Sequence, residues 1–309
     1  MSLLEEELAG LSPKKGTLLS VGVFDGVHLG HKSLFKQLTR QAREQNLISG
    51  VVTFKQRPQE VLTPQPKLPF LTNLEQRIEL IKNEGVKAII ALSFTLELAQ
   101  MNARHFVGLL KKHLRMRGLI IGADFALGRN REGNINILHT LGQSMNFSVT
   151  VVLPATINGK AISSTAIRNA LAKGDMKKVY DMSGRYFSLE GRVITGSSRG
   201  IELGFPTANL DIDPQQALPA DGVYATWTYV GNHAHQSVTN IGKRPTFGNN
   251  GRTVEVHILD YRGDLYRQEL KIDIIERLRG EKKFGTVEEL KKQIAEDIKQ
   301  SEAILRSEN

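Results

Sequence analysis

Residues 21–31 decide the fold of the first half of the chain, and they read Val21-Gly22-Val23-Phe24-Asp25-Gly26-Val27-His28-Leu29-Gly30-His31. The segment closes a strand-like run predicted over 18–24 and precedes an amphipathic pattern at Leu34, Leu38 and Ala42. A strand that turns directly into a helix is typical of a βαβ unit. Ligands collect at the carboxyl ends of strands in open α/β sheets, so the segment is also a candidate site.

Strand-like runs alternate with helical patterns as far as about residue 181. The strands are predicted over 18–24, 48–54, 87–92, 118–122 and 148–153. Between them, Thr72 is predicted to open a helix with a capping box, because Glu75 follows three residues later. The alternation predicts a doubly wound, Rossmann-like α/β domain with a parallel sheet.

The hydrophobic period changes to two in the second half of the chain. Residues 223–230 and 254–260 alternate, and Gly, Pro and Asn punctuate the gaps. We therefore predict a small antiparallel β-barrel, and a terminal helix over about 286–305 that packs on it. The change of period places the boundary near residues 182–186, so the predicted domains are 1–184 and 185–309.

Composition limits the classes of function. The 309 residues carry 41 Lys and Arg against 32 Asp and Glu, and the formal charge of +9 suits a polyanion such as a nucleotide or nucleic acid. The densest basic run, 111–117, is interpreted as the solvated end of a helix that starts near Ala103. The chain has no Cys, which excludes disulfides and thiolate catalysis. Acidic first residues and the lack of a long apolar run predict a cytoplasmic protein without a membrane partner.

His28 and His31 are three residues apart, so they share a face if both lie in the first turn of a helix. The N–H groups and dipole of a helix N-terminus favour phosphate, and both imidazoles could donate hydrogen bonds to one polyphosphate. Gly26 and Gly30 would let the backbone approach closely. Two alternatives stay open here: a turn with surface histidines, and a metal site without a third ligand nearby.

Three segments, 24–31, 121–128 and 163–168, together resemble the FMN adenylyltransferase module of prokaryotic FAD synthetases, which belongs to the HxGH nucleotidyltransferases. The resemblance implies that ATP and FMN are the substrates, FAD is the product, and His28 and His31 are catalytic. It assigns ATP binding to Gly22, Phe24, Asp25, Gly26, His28, Gly30, His31, Ser164, Thr165 and Arg168, and flavin binding to Asp124 and Arg57. Ser163 to Thr165 also open a helical pattern, so a simple N-cap is their alternative role.

The chain departs from that family at two positions. Arg57, in Thr53-Phe54-Lys55-Gln56-Arg57-Pro58, stands where the family usually has the His of Pro-His-Pro, and Leu127 replaces an aromatic residue. As a permanent cation, Arg57 is expected to bind phosphate in place of the histidine. A surface cation is the alternative.

The second half opens with a glycine-rich stretch, 191–210, that ends in Phe205-Pro206-Thr207-Ala208-Asn209-Leu210. Its spacing approaches that of a P-loop, but the Lys is missing and no helical pattern follows. From the residues alone, a system of bulges and turns is favoured over a nucleotide site.

The whole stretch resembles the riboflavin kinase signature, and further segments follow in the family's order at 222–225, 240–247, 255–260 and 278–284. The resemblance implies Mg²⁺ held by Thr207 and Asn209, and Glu255 as the base for the riboflavin hydroxyl. It assigns ATP binding to Gly191, Gly196, Gly200, Gly204, Pro206, Thr207 and Asn209, and flavin binding to Arg279 and Glu281. By strand pattern alone, Glu255 is also explained as a solvated residue on a polar face.

The favoured hypothesis is a bifunctional enzyme that makes FMN from riboflavin and FAD from FMN, with ATP and Mg²⁺. A narrower hypothesis keeps only the kinase and treats the first domain as degenerate. A hypothesis of another class is a basic nucleic-acid-binding or flavin-responsive regulatory protein. We expect small-molecule partners, no nucleic acid, and a monomer or weak homo-oligomer.

Overall fold

The computed structural model describes residues 2–10, 12–62, 68–196, 199–243 and 251–307, without the side chains of Arg199 and Ile201. The chain divides into two compact units, Met1–Ser164 and Thr165–Asn309. This division assigns residues 165–184 to the second unit, whereas the predicted boundary lies at 184/185. That boundary stays a prediction.

The first unit is built on a parallel sheet with strand order β3-β2-β1-β4-β5. Its elements, in chain order, are α1 Leu3–Ala9, β1 Thr17–Val21, α2 Leu29–Glu44, β2 Ile48–Phe54, α3 Pro58–Leu62, α4 Leu74–Asn83, β3 Ala88–Leu92, α5 Leu96–Gln100, α6 Ala103–Leu114, β4 Met116–Gly122, α7 Ile135–Met145, β5 Ser148–Val152, β6 Thr156–Ile157 and β7 Lys160–Ala161. The predicted doubly wound α/β fold is confirmed.

The central strand β1 is buried on both faces, as expected for a parallel sheet covered by helices on each side. Leu18 packs into one core with Phe35 and Leu38 of α2. Leu19 packs into the opposite core with Phe106 of α6. The strand ends at Val21, three residues earlier than predicted, because the chain takes positive φ at Phe24 and leaves the extended conformation.

The predicted capping box was wrong by one residue. Asn73, not Thr72, caps α4, and Gln76, not Glu75, completes the reciprocal pair. The Thr72 hydroxyl instead accepts a hydrogen bond from Gly26 N at 3.1 Å. Asn is the stronger N-cap of the two residue types, and the Thr72 hydroxyl is engaged with the turn, so both observations agree with a helix that begins after Asn73.

The basic run lies at the end of α6, as predicted, and most of its charge has local partners. Lys112 and His113 lie 3.1 and 3.6 Å from Glu5 Oε1. Lys111 donates to Met145 O and to Asn146 O. Within the described part of the chain, no helix is long and apolar enough to cross a membrane.

The second unit contains a closed barrel with strand order β10-β11-β12-β9-β8-β13, and its pairs are antiparallel. The elements that follow β7 are α8 Ser164–Lys173, α9 Met176–Ser183, β8 Phe187–Ile194, α10 Arg199–Leu203, β9 Ala208–Asp211, β10 Gly222–Val230, β11 His233–Lys243, β12 Arg252–Ile258, β13 Glu269–Arg279 and α11 Val287–Ser307. Leu305 of α11 packs with Ala225 and Ile275 of the barrel. The predicted barrel and terminal helix are confirmed.

Candidate active sites

The first candidate site is the turn between β1 and α2, which is conformationally strained. Phe24 and Val27 have φ of 53° and 36°, and Gly26 has φ of 81°. Positive φ is uncommon for non-glycine residues and is an outlier for a β-branched one. Strain of this kind persists only where the surrounding structure determines the backbone, and it clusters at functional sites.

The two histidines meet at the end of this turn. His28 is the N-cap of α2, and its Nδ1 accepts a hydrogen bond from His31 N at 3.4 Å. The two rings stack with centroids 3.6 Å apart and an interplanar angle of 18°. The predicted shared face at a helix start is therefore confirmed, and it lies at the carboxyl end of the central strand.

Asp25 is buried inside the turn. Its Oδ1 accepts hydrogen bonds from the N–H groups of Leu71 and Thr72 at 3.0 and 3.2 Å. The Ser164 hydroxyl donates to the Asp25 carbonyl at 2.8 Å. These contacts tie the turn to the segment before α4 and to the first residue of α8.

The Arg57 side chain points towards Asp25. It is only 6% exposed, which rules out the alternative of a surface cation. Its guanidinium lies 2.8 Å from Asp25 Oδ2 and donates to the carbonyls of Leu68 and Pro69. It also stacks 4.2 Å from the centre of the Phe70 ring.

A second buried arginine, Arg77, donates to the carbonyls of Val23 and Phe54 at 3.0 and 2.7 Å. Burial lowers the pKa of its guanidinium, the charge of Asp25 opposes that shift, and the charge of Arg57 adds to it. No sequence pattern marks this residue, because its partners are backbone carbonyls, one just after β1 and one at the end of β2.

The remaining residues predicted for the first site have diverse surroundings. Gly22 lies against the Phe24 ring, and Gly30 lies beside the His28 ring. Asp124 is exposed after β4, where Arg131 donates to its carbonyl at 2.8 Å. Thr165 and Arg168 are residues of α8. Leu127 is buried in the core of the first unit, so the replaced aromatic position is a packing position here.

In the second unit, the register of the strands brings three of the predicted kinase residues, Asn209, Glu255 and Arg279, into one row across the barrel. Glu255 of β12 pairs with Asn209 of β9 on one side and with Asn240 of β11 on the other. Val223 then pairs with Asn240 and with Arg279 of β13. Directly paired residues project to the same face, so the predicted base and the predicted metal ligand are neighbours. Asn240 was not predicted as a site residue, and only the register between strands reveals it.

The glycine-rich segment fits closely over the Pro-Thr-Ala-Asn turn. A Cβ on Gly196 would lie 2.2 Å from Asn209 Nδ2, and one on Gly200 would lie 2.5 Å from Phe205 O. Gly191 is similarly close to Asp211 O, and Gly204 adopts φ of 87°. The expectation that no helix follows was wrong in part: α10 is a helix of five residues, much shorter than the helix of a P-loop.

His257 supports the same turn. Its Nδ1 lies 2.7 Å from Pro206 O, and its ring contacts the Phe205 ring edge to face. Beside them is a cavity of about 350 Å³, and its lining includes Phe205, Pro206, His257, Tyr261, Ile298 and Glu302. A larger cavity of about 560 Å³, lined in part by Arg117 and His139, contains none of the predicted site residues.

The two residues predicted to bind flavin in the barrel have protein partners. The Arg279 guanidinium contacts both carboxylate oxygens of the buried Asp297 on α11, at 2.8 to 3.1 Å. The Glu281 carboxylate lies over Gly242, where a Cβ would be 1.9 Å from Oε1. Pro245, Thr246 and Phe247 of the family segment lie outside the described residues.

In the ranges that the structure describes, no group of three or more His, Asp or Glu residues could hold a metal ion. The histidine pair therefore gains no third ligand there. A metal in the barrel would depend on the hydroxyl of Thr207 and the amide oxygen of Asn209, the latter being 8% exposed. Such a sparse oxygen set suits Mg²⁺, which keeps water and phosphate oxygens in its shell.

A histidine pair at a strained strand-to-helix turn and a barrel with a glycine-covered Thr/Asn turn define a two-site nucleotide-dependent transferase. Two family models match the chain: FAD synthetase over residues 11–166, and riboflavin kinase over residues 183–305. The chain belongs to the family of bifunctional riboflavin kinase/FMN adenylyltransferases. It is an enzyme with both activities, and the hypotheses of a degenerate first domain or a nucleic-acid-binding regulator are not favoured.

Relatives with both activities in their names cover nearly the whole chain. The bifunctional riboflavin kinase/FMN adenylyltransferase of Escherichia coli K12 is 35% identical over 288 residues, which span 93% of this chain and 92% of that protein. The protein of that name from Pseudomonas fluorescens is 34% identical over 300 residues, 96% of each chain. A solved structure described as a macrolide-efflux protein from Streptococcus pneumoniae is 28% identical, with a TM-score of 0.88 over 94% of this chain and 95% of that one.

Proposed function

We propose that His28 and His31 bind the phosphates of ATP at the first site and stabilise the charge that develops as FMN is adenylylated. The family resemblance adds Ser164, Thr165 and Arg168 to the residues that bind ATP, and Asp124 to those that bind the flavin. A phosphate oxygen of FMN attacks the α-phosphorus of ATP, the bond to the β-phosphate oxygen breaks, and pyrophosphate leaves. The stacked rings at a helix N-terminus support this assignment, because imidazole groups and the positive end of the helix dipole can position and stabilise phosphate there.

In the barrel, the proposed kinase site is the row that contains Asn209 and Glu255. Thr207 and Asn209 would hold Mg²⁺, which neutralises charge on the transferred phosphoryl group. Glu255 orients the 5′-hydroxyl of riboflavin and accepts its proton as that oxygen attacks the γ-phosphorus of ATP. Direct pairing of Glu255 with Asn209 is the observation that carries the proposal.

The cavity beside Pro206 and His257 is proposed as the place of the adenosine of ATP. Its walls combine aromatic and aliphatic side chains with the charged Asp260, Arg262 and Glu302, and it adjoins the turn that carries Thr207. The cytoplasm is the proposed location of both reactions, because a chain without Cys fits a reducing compartment.

The direct test is chromatography of the products after incubation with riboflavin, ATP and magnesium. FMN that is then converted to FAD is the expected outcome. FMN alone would indicate an inactive first site. The absence of both products in a folded protein would overturn the residue assignments in both units.

Replacing Glu255 by Gln tests the proposed base. The substitution keeps the size of the side chain and removes the proton acceptor, so FMN formation should fall by about 10²–10⁴-fold. FAD formation from supplied FMN should not change. Glu269→Gln, at an exposed strand glutamate, is the matched control and should keep both rates. A Glu255→Gln protein that makes FMN at the parent rate would remove the assignment.

A further inference from the structure

The turn that presents the histidine pair cannot keep its shape by local preference alone. Phe24 and Val27 both hold φ values that L-residues rarely adopt. The N-cap at His28 and the stacking on His31 depend on where this backbone ends. Contacts from other parts of the chain must therefore hold the turn in place.

Arg77 and Thr53 donate to the Val23 carbonyl at 3.0 Å, and the other contacts that hold the turn converge on Asp25. Its carboxylate accepts hydrogen bonds from two consecutive backbone N–H groups, at Leu71 and Thr72. The Thr72 hydroxyl also contacts the turn, because it accepts a hydrogen bond from Gly26 N. An uncompensated carboxylate at 4% exposure would be costly, and the Arg57 guanidinium at 2.8 Å supplies its counter-charge.

The other contacts of the Arg57 guanidinium are also with protein groups. Besides Asp25, the guanidinium donates to two carbonyls, at Leu68 and Pro69, and stacks on Phe70. It thus joins the turn to the 68–70 segment that continues into the N–H groups bound by Asp25. A planar group with several donors can make all of these contacts at once, which a lysine cannot.

We propose that Arg57 is a positioning residue for FMN adenylylation, acting through Asp25 to hold the turn that presents His28 and His31. This inference rests on the role proposed for the histidine pair. It replaces the expectation that Arg57 binds phosphate or flavin directly.

The experiment compares Arg57→Gln, Arg57→Lys, Asp25→Asn and the Arg57→Gln/Asp25→Asn double variant in the full chain. Lys55→Gln is the matched control, because Lys55 lies two residues earlier and its ammonium pairs with Glu7 at 2.8 Å. Steady-state rates of FAD formation are measured with ATP and FMN varied separately, and FMN formation from riboflavin is followed in each protein. Melting temperatures identify variants that do not fold.

Arg57→Gln should lower kcat/KM for ATP in FAD formation by about 10–100-fold, the scale expected when catalytic groups are misplaced. The KM for FMN should change less than about twofold, since a contact that FMN does not make cannot be lost. Arg57→Lys should restore part of the rate. The double variant should be no slower than Asp25→Asn alone, because residues that act through one contact are not additive.

Hydrogen exchange gives a second measurement that does not need turnover. Amides of residues 24–31 should exchange faster in Arg57→Gln than in Lys55→Gln, and kinase rates should be equal in the two. If the parent protein makes no FAD, the role of the histidine pair fails, while the exchange comparison still decides the role of Arg57. Unchanged exchange, or a raised KM for FMN with effects of Arg57 and Asp25 that add, would overturn the inference.

Discussion

His28 has two roles that a single substitution can separate. Its Nδ1 caps α2 by accepting from His31 N, and its ring stacks on the ring of His31. The cap contributes to helix stability, while the stacked ring contributes to the proposed phosphate site. An asparagine retains a side-chain acceptor for the cap and lacks the imidazole.

His28→Asn should therefore lower FAD formation by about 10²–10³-fold, the usual effect of removing one donor to a charged transition state. Its free energy of unfolding should stay within about 0.5 kcal/mol of the parent value, because Asn is a strong N-cap. FMN formation should be unchanged. His105→Asn, at an exposed histidine of α6, is the control. Normal FAD formation by folded His28→Asn protein would contradict the role of the ring.

Single residues show clearly where sequence reasoning stops. The spacing of His28 and His31 predicts their shared face, because it depends only on helix geometry. The partners of Arg57 and Arg279 could not be predicted, since Asp25 and Asp297 lie 32 and 18 residues away in the chain. From the sequence, a charged residue in a family motif is expected to contact the ligand. Only the structure shows whether it is buried and whether a protein group is its partner.

At the scale of elements, the glycine-rich segment and β9 form a pair with little space between them. Asn209 is 8% exposed, and the segment approaches it at Gly196. The family resemblance assigns these glycines to ATP binding, and it does not show which glycine meets which side chain. That correspondence depends on the register of the consecutive strands β8 and β9 and on the path of the chain between them.

Gly196→Ala tests this packing. The new methyl would have to displace the Asn209 amide, and overpacking of this kind costs about 1–3 kcal/mol. Since about 1.4 kcal/mol is tenfold in affinity, the KM for Mg-ATP in FMN formation should rise by about 10-fold or more. Gly251→Ala is the control, because no atom of the described residues lies within 4 Å of its Cβ position. An unchanged KM would mean that Asn209 is not held in place by this contact.

The ion pair between Arg279 of β13 and Asp297 of α11 links the terminal helix to the barrel. Asp297 is 3% exposed and also accepts from Gln293 on its own helix. Asp297→Asn should lower the free energy of unfolding of the barrel by about 3 kcal/mol, because it leaves a guanidinium without its counter-charge. Trp227, the single tryptophan, packs beside α11 and allows urea unfolding to be followed by fluorescence.

Glu296→Gln, at the exposed neighbouring position, is the control for that substitution and should leave stability unchanged. Unaltered stability of Asp297→Asn with a raised KM for riboflavin would instead favour the flavin-binding role predicted for Arg279.

Element boundaries were also harder to predict from the sequence than the elements themselves. The period of the strands was predicted correctly, whereas the cap of α4 was placed one residue too early, at Thr72, whose hydroxyl accepts from Gly26 N instead.

For the whole molecule, both fold types follow from the hydrophobic pattern. Buried parallel strands read as short continuous apolar runs separated by helical patterns, whereas the barrel strands alternate between apolar and polar residues. The predicted boundary rests on the change of period alone, and it falls just after α9, the second of two helices that lie in the chain between β7 and β8. The two predicted sites share no residue. Each reaction should therefore be removable without the other.

A mixture of His28→Asn and Glu255→Gln proteins should make FAD from riboflavin, ATP and magnesium. Alone, the first should stop at FMN and the second should leave nearly all riboflavin unconverted. In the mixture, FMN released by the first protein can enter the intact adenylyltransferase site of the second, so FAD should appear after a lag. The lag should shorten as the second protein is increased or FMN is added, as chromatography of timed samples would show. Persistent FMN without FAD, under conditions where the parent makes FAD, would mean that FMN does not pass through solution between the sites.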